Sequence, residues 1–143
     1  KQDRNGFTCL HKAVLKSRSD TIKVLLDFGG QKLVHAVDNE GRTCLHVAAL
    51  RTNKMIVNAL LQVGGNQLLF ATDHEGKTCL HTAASVGNLE ASECLCAHGG
   101  NELMNMKDKN KMTCLHWAVM HGKLDVVVLL ARYGMQSETV SRM

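Results

Sequence analysis

The chain has 143 residues, a formal net charge of +4, 45% hydrophobic and only 3% aromatic residues, and no proline. That length supports one domain with a sizeable core, and a core so poor in aromatics must be aliphatic, which suits helices packed on helices better than a β-sandwich. The longest apolar run, Val126 to Ala131, falls far short of the roughly 20 residues that span a bilayer, so no membrane insertion is expected.

The start, Lys1 to His11, is polar and charged and does not read as a signal peptide; the first residue is not Met, as expected of a domain taken from a longer protein. Charge is uneven: +4 over residues 1–37, +1 over 38–72, −3 over 73–107 and +2 over 108–143. A nucleic-acid binder would carry a continuous basic stripe and stacking aromatics. Here an acidic segment interrupts the stripe and the aromatics are nearly absent, so no nucleic-acid partner is expected.

The tetrapeptide Thr-Cys-Leu-His occurs at Thr8–His11, Thr43–His46, Thr78–His81 and Thr113–His116, with the starts 35 residues apart. An Asp stands five residues before each Thr, at Asp3, Asp38, Asp73 and Asp108. A Gly stands two before it at Gly6, Gly41 and Gly76, with Lys111 in the fourth unit. Ala13, Ala48, Ala83 and Ala118 follow each His by two positions. Leu25-Leu26, Leu60-Leu61, Leu95-Cys96 and, with a slight offset, Leu129-Leu130 recur near the unit ends, and Gly29-Gly30, Gly64-Gly65, Gly99-Gly100 and Gly134 close them.

Each unit reads as turn, helix, turn, helix, loop. Asp-x-x-Gly is turn chemistry. Thr is an N-cap, and the His three positions on can reach back to it as Glu does in a capping box. Leu and Ala of the first helix face the stack, with Ala keeping that helix thin. Ile56, Val57, Leu60 and Leu61 show the helical spacing of the second helix, and the Gly pair is expected to end it.

This pattern resembles the ankyrin repeat, whose signature is Thr-Pro-Leu-His-x-Ala, from Asp3 to about Gly134. The resemblance implies an all-α solenoid of stacked helix-turn-helix units with protruding β-turn fingers. It divides the single domain, residues 1–143, into repeats at about 3–37, 38–72, 73–107 and 108–135 with a tail at 136–143. Two departures stand out. Cys9, Cys44, Cys79 and Cys114 replace Pro at a position where Pro is favoured, which costs a little preorganisation. The period is 35 rather than 33, and the added residues fall in 31–37, 66–72 and 101–107, which predicts a longer connection to the finger with Leu33, Leu68 and Leu103 packed on the stack.

Repeat arrays need polar terminal faces, and this chain lacks obvious ones. Val128 stands where the other units have Lys23, Asn58 and Glu93, so one side of the last helix is expected to be covered by a further repeat, the tail Met135–Met143 or a partner. The short polar tail either folds back as a cap or stays disordered. Self-association through the apolar end faces is a related expectation.

Six cysteines and eight histidines invite a metal or thiol hypothesis. Within each Cys-x-His pair, and for Cys94 and Cys96, residues i and i+2 of a helix diverge by about 200° and cannot face one ligand. Equivalent residues of neighbouring units lie about 8–10 Å apart, too far for the ~2.0–2.3 Å bonds of a zinc site or the ~7 Å Cα limit of a disulfide. The cysteines read as buried apolar thiols of a reducing compartment, the cytoplasm or nucleus, and no metal or cofactor is expected. With no Gly-rich phosphate loop, HExxH motif or paired carboxylates, the chain is read as no enzyme.

What the resemblance implies is a scaffold binding a protein or peptide on its concave finger and inner-helix surface. The finger set is Arg4, Asn5, Phe7, Asn39, Glu40, Arg42, His74, Glu75, Lys77, Lys109, Asn110 and Met112. The inner-helix set is Leu15, Lys16, Leu50, Arg51, Ser85, Val86, Met120 and His121. These positions vary between units while the scaffold positions repeat. Trp117, the only Trp, either lines the groove or fills the core. The alternative is a regulatory segment of a larger enzyme or channel acting through intramolecular contacts. The resemblance also implies a site of Asn hydroxylation before a finger, and Asn105 occupies that place where other units have His35 and Phe70.

Overall fold

The computed structural model describes residues 4–51 and 54–142, with side chains described through Tyr133. Asp3 and the tail side chains lie outside the described residues. Among the described residues there are eight helices and no strand: α1 (Cys9–Leu15), α2 (Ser19–His35), α3 (Cys44–Arg51), α4 (Lys54–Leu69), α5 (Cys79–Val86), α6 (Leu89–Met104), α7 (Cys114–Met120) and α8 (Leu124–Arg142).

They form two layers. The short helices α1, α3, α5 and α7 stack in one, and the long helices α2, α4, α6 and α8 stack in the other. The core lies between and is aliphatic, as composition required. Leu10, Leu45, Leu80, Leu60 and Leu95 are fully buried, and Ala48, Ala83 and Ala118 let the layers approach.

Every short helix starts the same way. In α1 the Thr8 hydroxyl accepts from His11 N–H at 3.3 Å, and the Thr8 N–H donates to His11 Nδ1 at 3.2 Å. The same capping box closes on Thr78–His81 and Thr113–His116, and Thr43 and His46 exchange the same two bonds. Because Nδ1 accepts, the remaining proton is assigned to Nε2, and that N–H points out of the unit. It donates to the backbone carbonyl just before the next unit's Thr: His11 to Arg42 at 3.0 Å, His46 to Lys77 at 2.9 Å and His81 to Met112 at 2.9 Å. The His therefore caps its own helix and ties two units together.

The Gly pairs do not end the long helices, contrary to the expectation from sequence. The chain kinks there and runs on for another helical turn. Gly65 takes φ 59°, ψ −153° and Gly100 φ 55°, ψ −149°, a region that L side chains avoid, while Gly29 kinks α2 at φ −139°. The first glycine of each later pair is fixed by crowding: a Cβ on Gly64 or Gly99 would lie 2.5 Å from the Cβ of Leu68 or Leu103. The added residues are thus a kinked helical turn, not a loop. Leu68 and Leu103 are buried beneath it, and Leu33 packs half-buried on the core. In the fourth unit Met135 replaces the second glycine, and α8 continues to Arg142 instead of closing at Gly134.

That turn also explains the cysteines. Cys44 Sγ donates to the Val34 carbonyl at 3.6 Å, Cys79 to Leu69 at 3.5 Å and Cys114 to Met104 at 3.5 Å. Each acceptor sits in the turn that the longer period adds. Burial pushes the Cys44, Cys79 and Cys114 thiols up to about 12, so they are inert thiols with a bonding role. The bond offsets the preorganisation lost with Pro.

Candidate partner-binding surface

The fingers are built from an Asp folded back on its own turn. Asp38 Oδ1 accepts from the N–H groups of Glu40 and Arg42, both at 2.9 Å, and Oδ2 accepts from Arg42 Nε at 2.8 Å. Asp73 Oδ1 accepts likewise from Glu75 and Lys77, and Asp108 Oδ1 from Asn110 and Met112. Burial alone would raise the Asp38 and Asp108 carboxyls. The backbone donors outweigh it, with Arg42 helping at Asp38 and Trp117 at Asp108, and both are held below the ordinary 3.8. Successive fingers join through the main chain. Asn39 N–H donates to the Asn5 carbonyl at 3.0 Å, His74 to Glu40 at 2.9 Å and Lys109 to Glu75 at 2.9 Å. Tips and stack thus form one continuous frame.

The fourth finger differs. Lys111 stands where the other units have Gly, and it is held at φ 64°. An ordinary side chain in the left-handed region costs about 1–2 kcal/mol.

None of the residues assigned to the surface is buried. Arg4, Asn5, Asn39, Glu40, Arg51, His74, Glu75, Val86, Lys109, Asn110, Met120 and His121 are exposed. Phe7, Arg42, Leu50, Lys77, Ser85, Met112 and Trp117 are half-buried. Leu15 is half-buried and Lys16 exposed. Asn105 is exposed at the C-cap of α6.

The half-buried members link adjacent units across the groove. Arg42 reaches Glu40 at 3.0 Å and lies 5.9 Å over the Phe7 ring of the preceding unit. Lys77 Nζ reaches Glu75 at 2.9 Å and lies 4.4 Å over the Trp117 ring of the next unit. Trp117 stacks on His121 at 5.7 Å, and its Nε1–H donates to Asp108 Oδ2 at 2.9 Å. Trp117 is therefore neither free surface nor core: it braces the last finger and walls the groove. Sequence reading missed this brace. Its signal was the nine-residue step from the finger Asp to a Trp whose N–H must find a partner.

Arg42 is structural as well as exposed. Reversing its charge would set a carboxylate beside the buried Asp38, so it is a poor probe of binding alone.

Behind the groove, Asn58 Oδ1 takes bonds from Cys94 Sγ at 3.2 Å and His98 Nε2 at 2.9 Å across the outer layer. Among the described residues no group of three His, Cys, Asp or Glu could hold a metal ion, and no helix is long and apolar enough to cross a membrane.

Compared with models of known families, residues 1–69 and 64–140 match the one described as Ankyrin repeats (3 copies). No curated protein matches the chain.

Proposed function

Since the chain belongs to the ankyrin-repeat family, whose members are protein-interaction modules, we propose that it binds a partner protein or peptide on the concave surface formed by its finger tips and inner helices. The observation that carries the reading is the division of labour within each unit. The repeated residues are consumed in caps, inter-unit bonds and core, while the residues that vary stand at the surface on a frame they barely help to hold. A partner meets a pre-ordered surface and loses little freedom in docking. Phe7, Trp117 and Met120 offer anchors, and charges of both signs around them suit steering and register.

The test uses residues with no structural bond of their own. Affinity capture from lysate with the parent domain is compared with a variant carrying His74→Glu, Lys109→Glu and Met120→Glu, after thermal melting shows the two equally folded. Proteins held by the parent and lost by the variant support the reading. Identical captures move the working surface away from the groove.

A further inference from the structure

The two ends of the stack carry the separate halves of the junction that repeats inside it. At each internal junction the next unit covers the distal face of the short helix. Leu10, Leu45 and Leu80 are fully buried there, as are Val14, Ala49 and Ala84. In unit four the matching residues are open, Leu115 at 38% and Val119 at 59% exposed, and His116, which makes the same cap to Thr113, is exposed too. The proximal face shows the converse. Cys44, Cys79 and Cys114 are buried against the preceding unit, whereas Cys9 is exposed.

The long helices show which residues would meet. At the junction of units two and three, Asn58 touches Cys94 and His98. By the 35-residue register, the distal counterpart of Asn58 in unit four is Val128, and the proximal counterparts of Cys94 and His98 in unit one are Val24 and Phe28. All three are apolar and open, at 45%, 53% and 88% exposed. A contact that is polar inside the stack is apolar on both of its ends.

We infer that two copies of this chain join head to tail, the distal face of unit four of one copy seating unit one of the second copy. Val128 then packs on Val24 and Phe28, and His116 Nε2 faces the Phe7 carbonyl, which holds the place of Arg42, Lys77 and Met112 in the internal junctions. Those carbonyls already accept two bonds each, one from the finger Asp N–H and one from the His. The helices carry the joint rather than the fingers. At the junction of units three and four a Cβ on Gly76 would lie 3.1 Å from Lys109 N, so the Cβ of Lys111 makes the incoming finger stand off by a few tenths of an ångström. Units one and four are both net positive, so salt strengthens the joint by screening them. This surface is distinct from the groove, and its fate is independent of the function proposed above.

A heterologous joint of this kind can be split between two variants. Val119→Glu with Val128→Glu blocks the distal face, and the second change only places the Glu93 residue of unit three at the same register position. Val24→Glu with Phe28→Glu blocks the proximal face. All four sites are exposed, and circular dichroism verifies folding. Sedimentation velocity is run from micromolar to near-millimolar concentration. The parent is expected to show a sedimentation coefficient that rises with concentration and with salt, each variant to remain monomeric, and the equimolar mixture of the two to stop at a 1:1 dimer. A parent that stays monomeric throughout overturns the inference. So does a mixture that fails to pair, or a variant that associates alone as the parent does, since the joint would then lie elsewhere or be symmetric.

Discussion

Cys79 Sγ donates to the carbonyl of Leu69, ten residues back in the preceding unit, at 3.5 Å. The two ways in which this chain departs from the usual repeat are thus one arrangement: the longer period adds a helical turn, and the thiol bonds a carbonyl of that turn. Proline at position 79 would preset the backbone for helix entry but has nothing to offer the buried Leu69 carbonyl. An S–H donor is weak, yet an unmet buried acceptor is costly. Cys79→Pro is therefore expected to lower stability by about 1 kcal/mol, read as a lower urea midpoint. A raised midpoint would show that helix entry, not the inter-unit bond, governs this position.

Lys111→Gly is expected to stabilise the domain. Relief of the left-handed φ is worth about 1–2 kcal/mol, and the extra freedom of glycine in the unfolded chain returns about 0.5–1 kcal/mol of it. The net gain of about 0.5 kcal/mol should appear as a higher thermal midpoint, with Gly41→Ala as the opposite control.

Acid should unlock the stack in two stages. Burial chiefly disfavours the charged imidazoles of His46 and His81. Their carbonyl partners and Asp38, Asp73 and Asp108 pull the other way, while Arg42 and Lys77 add to the burial effect; the outcome for both is below 6.5. A base depressed on folding contributes its full stability above the unfolded value and loses it as pH falls through that value toward the folded one. Asp38 and Asp108, held below 3.8, contribute above the ordinary carboxylate value and lose it at still lower pH. Urea midpoints should fall between about pH 7.5 and 5, then again below about pH 4. His46→Gln with His81→Gln should flatten the first decline, and a parent midpoint flat over that range would remove the imidazoles from the account.

Thiol labelling should separate the cysteines by burial. Cys9 is exposed and Cys94 half-exposed, whereas Cys44, Cys79, Cys96 and Cys114 are buried. Mass spectrometry after brief alkylation should find Cys9 modified first, Cys94 next, and the others only once the domain unfolds. Early modification of Cys79 would mean that its junction opens readily.

Much of this molecule was legible before any coordinate. Thr-Cys-Leu-His named the start of every short helix, its cap and its inward Leu, because those are local chemistry at fixed offsets. The finger and groove residues came from what varied against that constant background. What escaped depends on partners elsewhere in the chain. Gly64-Gly65 carries the signal of a helix end, yet burial of Leu68 holds one more turn against the stack. Leu115 has the same local sequence as Leu80 and is open where Leu80 is closed, since burial in a stack is conferred by the neighbour. The placement of Lys77 over Trp117 joins residues 40 apart, which no local pattern announces.

Within four consecutive residues, Cys reaches back to the unit before and His reaches forward to the unit after. A unit therefore carries both the plug and the socket of its own joints. Duplicating any 35-residue stretch in frame creates a joint whose chemistry is already complete, and excising one heals the gap without a compensating change elsewhere. The number of units in such a chain can then drift as freely as copy number does, while the lettering on the finger tips is rewritten for a new partner at no cost to the joinery.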